Sequence, residues 1–405
     1  MNPRAVVSDT RRRLIGGAVA AGALVAAGGW RGALAAEPLV VGIDAEFGDP
    51  TSTSAIAIRR GVKEAAREIN DKGGLLGGRP LVVMALDNRS LPARGLANLR
   101  QFAATPNLLA YLCGKFSPVT LEQIPLVHDE KIILLNPWSA ADSIVDNGRT
   151  PNFAFRVGLR DSWAMGALLD SARDRGLQRV GLILPTSAWG RSCKTAVDNH
   201  LAANHGPAIT MTEWHHWGDA TGLAARYAAI LASGAEAVIL VANEPEGAAL
   251  VKTIAALPQA DRLPVLSHWG VAGGPFAKLC GTALHDIDFS LVQTFSFARQ
   301  THAETVAMIP RACELFGVGD PTHIDSVGGF AHAYDLVQLL ARAVERAGTT
   351  DRNQIREALL QPIEYRGLTH HYAPAFAAGR QEALSPDQLF MARFHPDGRL
   401  LPLET

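Results

Sequence analysis

The chain has 405 residues, of which 48% are hydrophobic and 19% charged; this globular composition excludes collagen-like, low-complexity and membrane-embedded classes. Basic residues number 38 and acidic residues 39, a balance that leaves no electrostatic footprint for nucleic acid. A single core stops growing at roughly 250–300 residues, so two or more domains are expected.

The first informative segment is N-terminal. "TRRRLIGGAVAAGALVAAGGW" places Arg11, Arg12 and Arg13 ahead of an uncharged Ala- and Gly-rich run, and "GALAAEP" follows. Basic, apolar and small-residue regions in that order predict a secretory signal, and the paired arginines resemble the twin-arginine export motif. Cleavage is expected after Ala35 or Ala36. Residues 1–36 carry five arginines and one aspartate, so their removal takes the formal charge from −1 to about −5. The exported chain is then a soluble, mildly acidic protein of the periplasm.

From there the chain alternates apolar strands with amphipathic helices. Strands are expected at 38–47, 79–88, 108–114 and 132–136, with helices at 51–74, 91–105 and 121–131 between them. The helix at 51–74 sets Ile58, Val62, Ala66 and Ile69 against Arg60, Lys63, Glu64 and Arg67, and Gly73 and Gly74 end it. Strands apolar on both faces with helical crossovers predict an α/β fold whose parallel sheet is covered on both sides.

The alternation restarts beyond 151–162, where the chain passes to a second unit. Strands are expected at 179–186, 235–243 and 263–270, with an edge-like strand at 208–217 and helices between them. From residue 287 onward, a strand-like crossing, three helices and a β-turn-β end at 388–398 return to complete the earlier lobes. The resulting division is a signal over 1–36, one lobe over 38–158 and 300–366, and a second over 159–299 and 367–405.

No phosphate loop is present, and "GGLLGG" follows a helix without dinucleotide spacing, so no cofactor is expected. The four cysteines, Cys113, Cys193, Cys280 and Cys313, are too widely spaced for a metal knuckle or redox pair. The compartment permits disulfides, and their pairing stays open. There is no GxSxG elbow. Adjacent His215 and His216 face opposite ways on a strand, so neither catalysis nor a metal site is expected.

In open α/β sheets ligands bind at the carboxyl ends of strands. Three of the six tryptophans left after export stand at such ends: Trp138 in "LLNPWSAAD", Trp189 and Trp269. They predict an aromatic-lined cleft suited to flat apolar or cationic ligands. Polar candidates lie beside them. Lys115, Phe116, Ser117 and Thr120 lead into a helix whose first amides suit an anion. Ser139 and Ala140 follow Trp138, Asn243 and Glu244 follow a strand, and His268 precedes Trp269.

An ordered set of segments carries a family resemblance. "AAREINDKGGLLGGRPLVVMALDN", "CGKFSPVT", "HDEKIILLNP" and "RVGLILPTSAWGRS" resemble the solute-binding proteins of ABC importers of the branched-chain amino acid type, the type I periplasmic binding proteins. The likeness covers 38–400. It implies two Rossmann-like lobes joined by three crossovers and closing over a small solute. It also implies an ABC permease and ATPase as partners, a monomer, and no enzyme activity. The family's serine falls on Ser117, its post-turn residues on Trp138, Ser139 and Ala140, and its "YG" aromatic on Trp189. Its ammonium-binding acid falls on Trp269.

That last substitution removes the partner of an α-ammonium unless Glu244 supplies it, and a charge stranded in a closed cleft costs several kcal/mol. The expectation is therefore an aromatic or other planar, bulky solute, possibly a carboxylate. The alternatives are a ligand sensor, or import of an amino acid or quaternary amine. The family's first-lobe disulfide is not expected, because Asn88 and Phe116 occupy its positions.

Overall fold

The structure, a computed structural model, describes residues 37–49 and 51–403; the export signal expected over 1–36 lies outside them. Two sheets organise the described chain. The first has the order β2-β1-β3-β4-β5 and is wholly parallel. Its strands are β1 (Leu39–Ala45), β2 (Leu81–Asp87), β3 (Leu108–Cys113), β4 (Ile133–Asn136) and β5 (Ala154–Arg156). The second has the order β14-β13-β10-β9-β8-β6-β7. Here β6 (Arg179–Pro185), β7 (Ala208–His215), β8 (Ala237–Leu240), β9 (Val265–Ser267) and β10 (Phe289–Gln293) run parallel. The terminal hairpin of β13 (Phe390–Phe394) and β14 (Leu400–Pro402) adds antiparallel to β10. A two-stranded hairpin, β11 (Tyr365–Arg366) with β12 (His371–Tyr372), stands apart from both sheets.

Every residue of β3 and β4 is buried, as a parallel sheet packed on both faces requires. The covering helices in the first half are α1 (Thr53–Asp71), α2 (Pro92–Ala103) and α3 (Ser117–Asp129). In the second half they are α4 (Asp161–Asp174), α5 (Ala188–Ala203), α6 (Leu223–Ala232), α7 (Glu244–Ala255) and the short α8 (Phe276–Cys280). Three more follow: α9 (Ala303–Phe316), α10 (Val327–Ala347) and α11 (Arg352–Leu360). Helix α10 packs along α1. The contact is close because Gly61 has no side chain; a Cβ there would stand 2.2 Å from the Phe330 carbonyl oxygen.

The chain passes between the sheets after β5, after β10 and before β13. In the last passage Glu382 pairs with Arg156 of β5. The sequence shows β5 only as part of a connecting segment, because three residues are too short to show alternation. Its register comes from tertiary contacts: the buried Arg156 guanidinium binds the Glu382 carboxylate at 2.6 Å and also donates to the Ser139 and Ala141 carbonyls. All four cysteines are free thiols.

Candidate functional site

A cavity of about 340 Å³ lies between the two lobes, lined by residues that follow β3 and β4 in one lobe and β6, β7, β8 and β9 in the other. Ligand cavities occupy about 300–1,000 Å³. Both sheets reverse their strand order beside their first strand, and the loops leaving the carboxyl ends at such a reversal splay apart to form a crevice.

On the first side, β3 ends at Cys113 and α3 begins at Ser117, with Pro118 in its first turn. The Ser117 amide is among the first N–H groups of α3 and has no intrahelical acceptor, and the helix end carries partial positive charge. The Ser117 hydroxyl oxygen accepts the Ala141 amide at 3.2 Å, which leaves its proton to donate. After β4, Asn136 folds the next turn: its Oδ1 accepts the Trp138 amide at 3.0 Å and its Nδ2 donates to the Ser139 carbonyl at 2.7 Å. Trp138 is thereby driven onto Trp269 of the other lobe, ring centroids 4.7 Å apart and planes 21° from parallel.

On the second side, Trp189 enters from the first turn of α5. Its indole N–H donates to Asp161 Oδ1 at 3.1 Å and its ring stands edge-on to His268 at 5.1 Å. Gly270 is required beside it, since a Cβ there would meet Trp189 Cη2 at 2.4 Å and the Ala242 carbonyl oxygen at 2.5 Å. Beyond β7, Trp217 is half exposed and lies over Phe116 of the first lobe at 4.1 Å, forming a rim.

The charges sort into two sets. Lys115 Nζ and Glu244 Oε1 meet at 2.7 Å across the cleft, both side chains almost wholly buried. Burial pushes the Glu244 carboxyl above its ordinary value, and the Lys115 charge offsets part of that rise. Two residues further along α7, Glu246 is 2% exposed and lines the cavity. Its Oε1 accepts the Gly218 amide at 2.7 Å, while Oε2 has no partner among the described residues. A buried carboxylate oxygen left unpaired is costly, and this one belongs to a residue on the wall of the aromatic-lined cavity.

Asp161, Cys193 and His268, all buried, bring ligand-type atoms within 4.8 Å of one another. The donor set does not suit a metal. The Gly270 amide donates to His268 Nδ1 at 3.3 Å, so the ring proton sits on Nε2, the nitrogen facing Asp161 at 3.2 Å. That close contact is poorly aligned as a hydrogen bond. Burial also pushes the Cys193 thiol well above its ordinary value, whereas a metal needs thiolate and a bare imidazole nitrogen. The cluster instead props Trp189.

Of the residues singled out from sequence, Lys115, Phe116, Ser117, Trp138, Ala140, Trp189, Asn243 and Trp269 lie on the cavity wall. Thr120, Ser139, Glu244 and His268 do not. Thr120 and Ser139 hydroxyls face each other at 3.1 Å, and Ser139 donates to the Gly114 carbonyl. Glu244 gives Oε1 to Lys115 and has, among the described residues, an unpartnered Oε2 like that of Glu246, but it stands off the cavity wall that Glu246 lines. His268 orients Trp189, not only its neighbour Trp269. Glu246, Trp217, Thr186, Ser187, His215 and His216 line the wall without having been singled out for it. Trp217 obeys the same strand-end rule as the other tryptophans. His215 is buried, with Nε2 on the Val241 carbonyl at 3.0 Å, although β7, which carries it, is the edge strand of its sheet as expected.

Comparison with known proteins agrees with this architecture. Residues 39–385 match the family model described as periplasmic binding protein. The Leu/Ile/Val-binding protein homolog 1 of Brucella suis is 21% identical over 352 residues, 86% of this chain and 88% of that protein. The type 1 periplasmic binding protein of Bordetella pertussis superposes with a TM-score of 0.80 at 19% identity, covering 91% of this chain and 100% of the other. The branched-chain amino acid substrate-binding protein LivJ of Streptococcus pneumoniae, solved in complex with isoleucine, gives 0.73 at 16% identity, with 91% and 100% covered. These relatives overturn the expectation of an aromatic or planar carboxylate solute. That expectation rested on Trp269 leaving no acid for an ammonium, and it overlooked Glu246.

Proposed function

This chain belongs to the periplasmic binding protein family, and on that premise we propose that it captures an α-amino acid of the leucine, isoleucine and valine class. It is a binding protein, not an enzyme; it works in the periplasm and serves an ABC permease and ATPase. The observation that carries the amino-acid reading is Glu246. The residue lines the cavity from the second lobe and carries a buried, unpaired Oε2, and the ligand group that satisfies a desolvated carboxylate is a hydrogen-bonding cation.

From the first lobe, the Ser117 hydroxyl and the amino end of α3 suit a carboxylate. The solute's two charges are then divided between the lobes, so one zwitterion draws both together. Trp138, Trp189 and Trp269 enclose the side chain. Indole faces receive aliphatic groups by area burial, and withdrawing a branched four-carbon or three-carbon side chain from water contributes about 1.5–3 kcal/mol. The test is calorimetric titration of the purified chain with leucine, isoleucine and valine, beside 4-methylpentanoate, which lacks the ammonium. Binding of at least one amino acid and rejection of 4-methylpentanoate are expected. Failure of all three amino acids to bind at millimolar concentration would sink the proposal.

A further inference from the structure

The ion pair between Lys115 and Glu244 joins opposite lobes, with side chains 2% and 1% exposed and nitrogen to oxygen at 2.7 Å. Its place in the chain is informative. Lys115 stands two residues before Ser117, and Glu244 stands two residues before Glu246. Each partner therefore sits beside one of the groups assigned above to the solute's charges. We infer that Lys115 and Glu244 are positioning residues: they bind no solute, and their pairing fixes how far apart and in what register Ser117 and Glu246 face each other when the lobes close. The inference rests on the amino-acid reading of the cleft.

The surroundings of the pair support this role. Backbone of the second lobe seals it: a Cβ on Gly273 would lie 3.1 Å from Lys115 Cδ, and one on Gly274 would lie 2.5 Å from Glu244 Cγ. The ammonium also stands 5.1 Å over the Phe116 ring, which Trp217 covers from the other side of the cleft. No room for a solute remains between the two charges. When the lobes separate, both ions return to water. Closing must desolvate them, and the mutual attraction roughly repays that cost without a large surplus. The pair adds little net affinity. It acts by penalising any closed arrangement in which the charges fail to meet.

This makes a prediction that a direct solute contact does not. Removing one partner leaves an uncompensated buried ion, so Lys115→Met or Glu244→Met alone weakens leucine binding on the order of a hundred- to a thousand-fold. Replacing both removes the stranded charge, so K115M/E244M binds leucine at least tenfold tighter than either single variant. Calorimetry on the four proteins, each shown folded by its melting curve, completes the cycle. Losses that simply add in the double variant would overturn the inference and return Lys115 or Glu244 to the solute. The charge-reversed K115E/E244K provides a second reading if either Met variant fails to fold; it is expected to outperform both single reversals, and equal or worse binding counts against the pair.

A wild-type chain that binds none of the three amino acids refutes the proposed function, not the positioning role. The role is then read without solute. Disulfide formation between cysteines placed at Phe116 and Trp217 reports closure of the ligand-free protein in the same four backgrounds. Slower formation in each single variant and recovery in the double are expected; equal rates in all four would refute it.

Discussion

Replacing Glu246 with Gln tests the ammonium site with little change of shape. Gln keeps an oxygen for the Gly218 amide, which now donates to Oε1 at 2.7 Å, and removes only the charge and its free oxygen. Truncating one partner of a buried charge pair costs about 2–5 kcal/mol. Glu246 belongs in the upper part of that range for two reasons. It is 2% exposed, so screening is weak, and the nearest alternative anion on its helix, Glu244, already holds Lys115. A loss of about 3–4 kcal/mol raises the dissociation constant for leucine roughly 150- to 900-fold. The assay is calorimetry of wild type and E246Q with leucine at pH 7, with unliganded melting curves to show that the fold is intact. A second arm uses 2-hydroxy-4-methylpentanoate, which keeps the carboxylate and side chain but carries a hydroxyl in place of the ammonium. Wild type discriminates strongly against it and E246Q loses most of that discrimination. A leucine affinity within threefold of wild type, or unchanged discrimination, refutes the reasoning.

Three further outcomes are expected. Trp138→Ala empties space beside Trp269 and Gly329 and removes an interlobe stack, so urea titration should show a loss of about 3–5 kcal/mol, with weaker leucine binding. Gly270→Ala drives a methyl into Trp189 and the Ala242 carbonyl; overpacking costs about 1–3 kcal/mol, and calorimetry should find leucine binding weakened severalfold or more as Trp189 shifts. The third concerns His332, buried between the Thr294 hydroxyl at 3.0 Å and the Pro137 carbonyl at 2.9 Å. Burial holds its imidazole down at about 4, against an ordinary 6.5. The unfolded chain therefore binds the proton first, and stability falls as pH drops from about 6.5 toward 4, by up to roughly 3 kcal/mol. Urea unfolding of wild type and His332→Gln at pH 7 and pH 4.5 checks this: the wild type should lose more on acidification, and parallel losses would contradict the assignment.

Much of this protein was legible in local pattern. The apolar runs of β1, β3 and β4 and the amphipathic face of α1 report their own environments, since a buried strand and a half-buried helix demand different spacings of apolar residues. Asn136 and Pro137 announced the turn that presents Trp138, and Ser117 was recognisable at the start of a helix leaving a strand. The lobed α/β architecture and the strand-end location of the cleft follow from such features. What local pattern does not contain is the pairing of side chains across the closed cleft. Lys115 and Glu244 are 129 positions apart, and their contact engages Glu244 between the lobes while Glu246 stands on the cavity wall. Both glutamates occupy the first turn of α7 and differ little in sequence context. His268 likewise looks like a cleft residue until Asp161 and Trp189 are seen to enclose it. Sequence by itself determined most of the elements, their order and the end of the sheets where the cleft lies, because these depend on near neighbours. Only the tertiary structure decided which glutamate pairs with Lys115 across the lobes and which lines the cavity, because that choice depends on distances between groups remote in the chain.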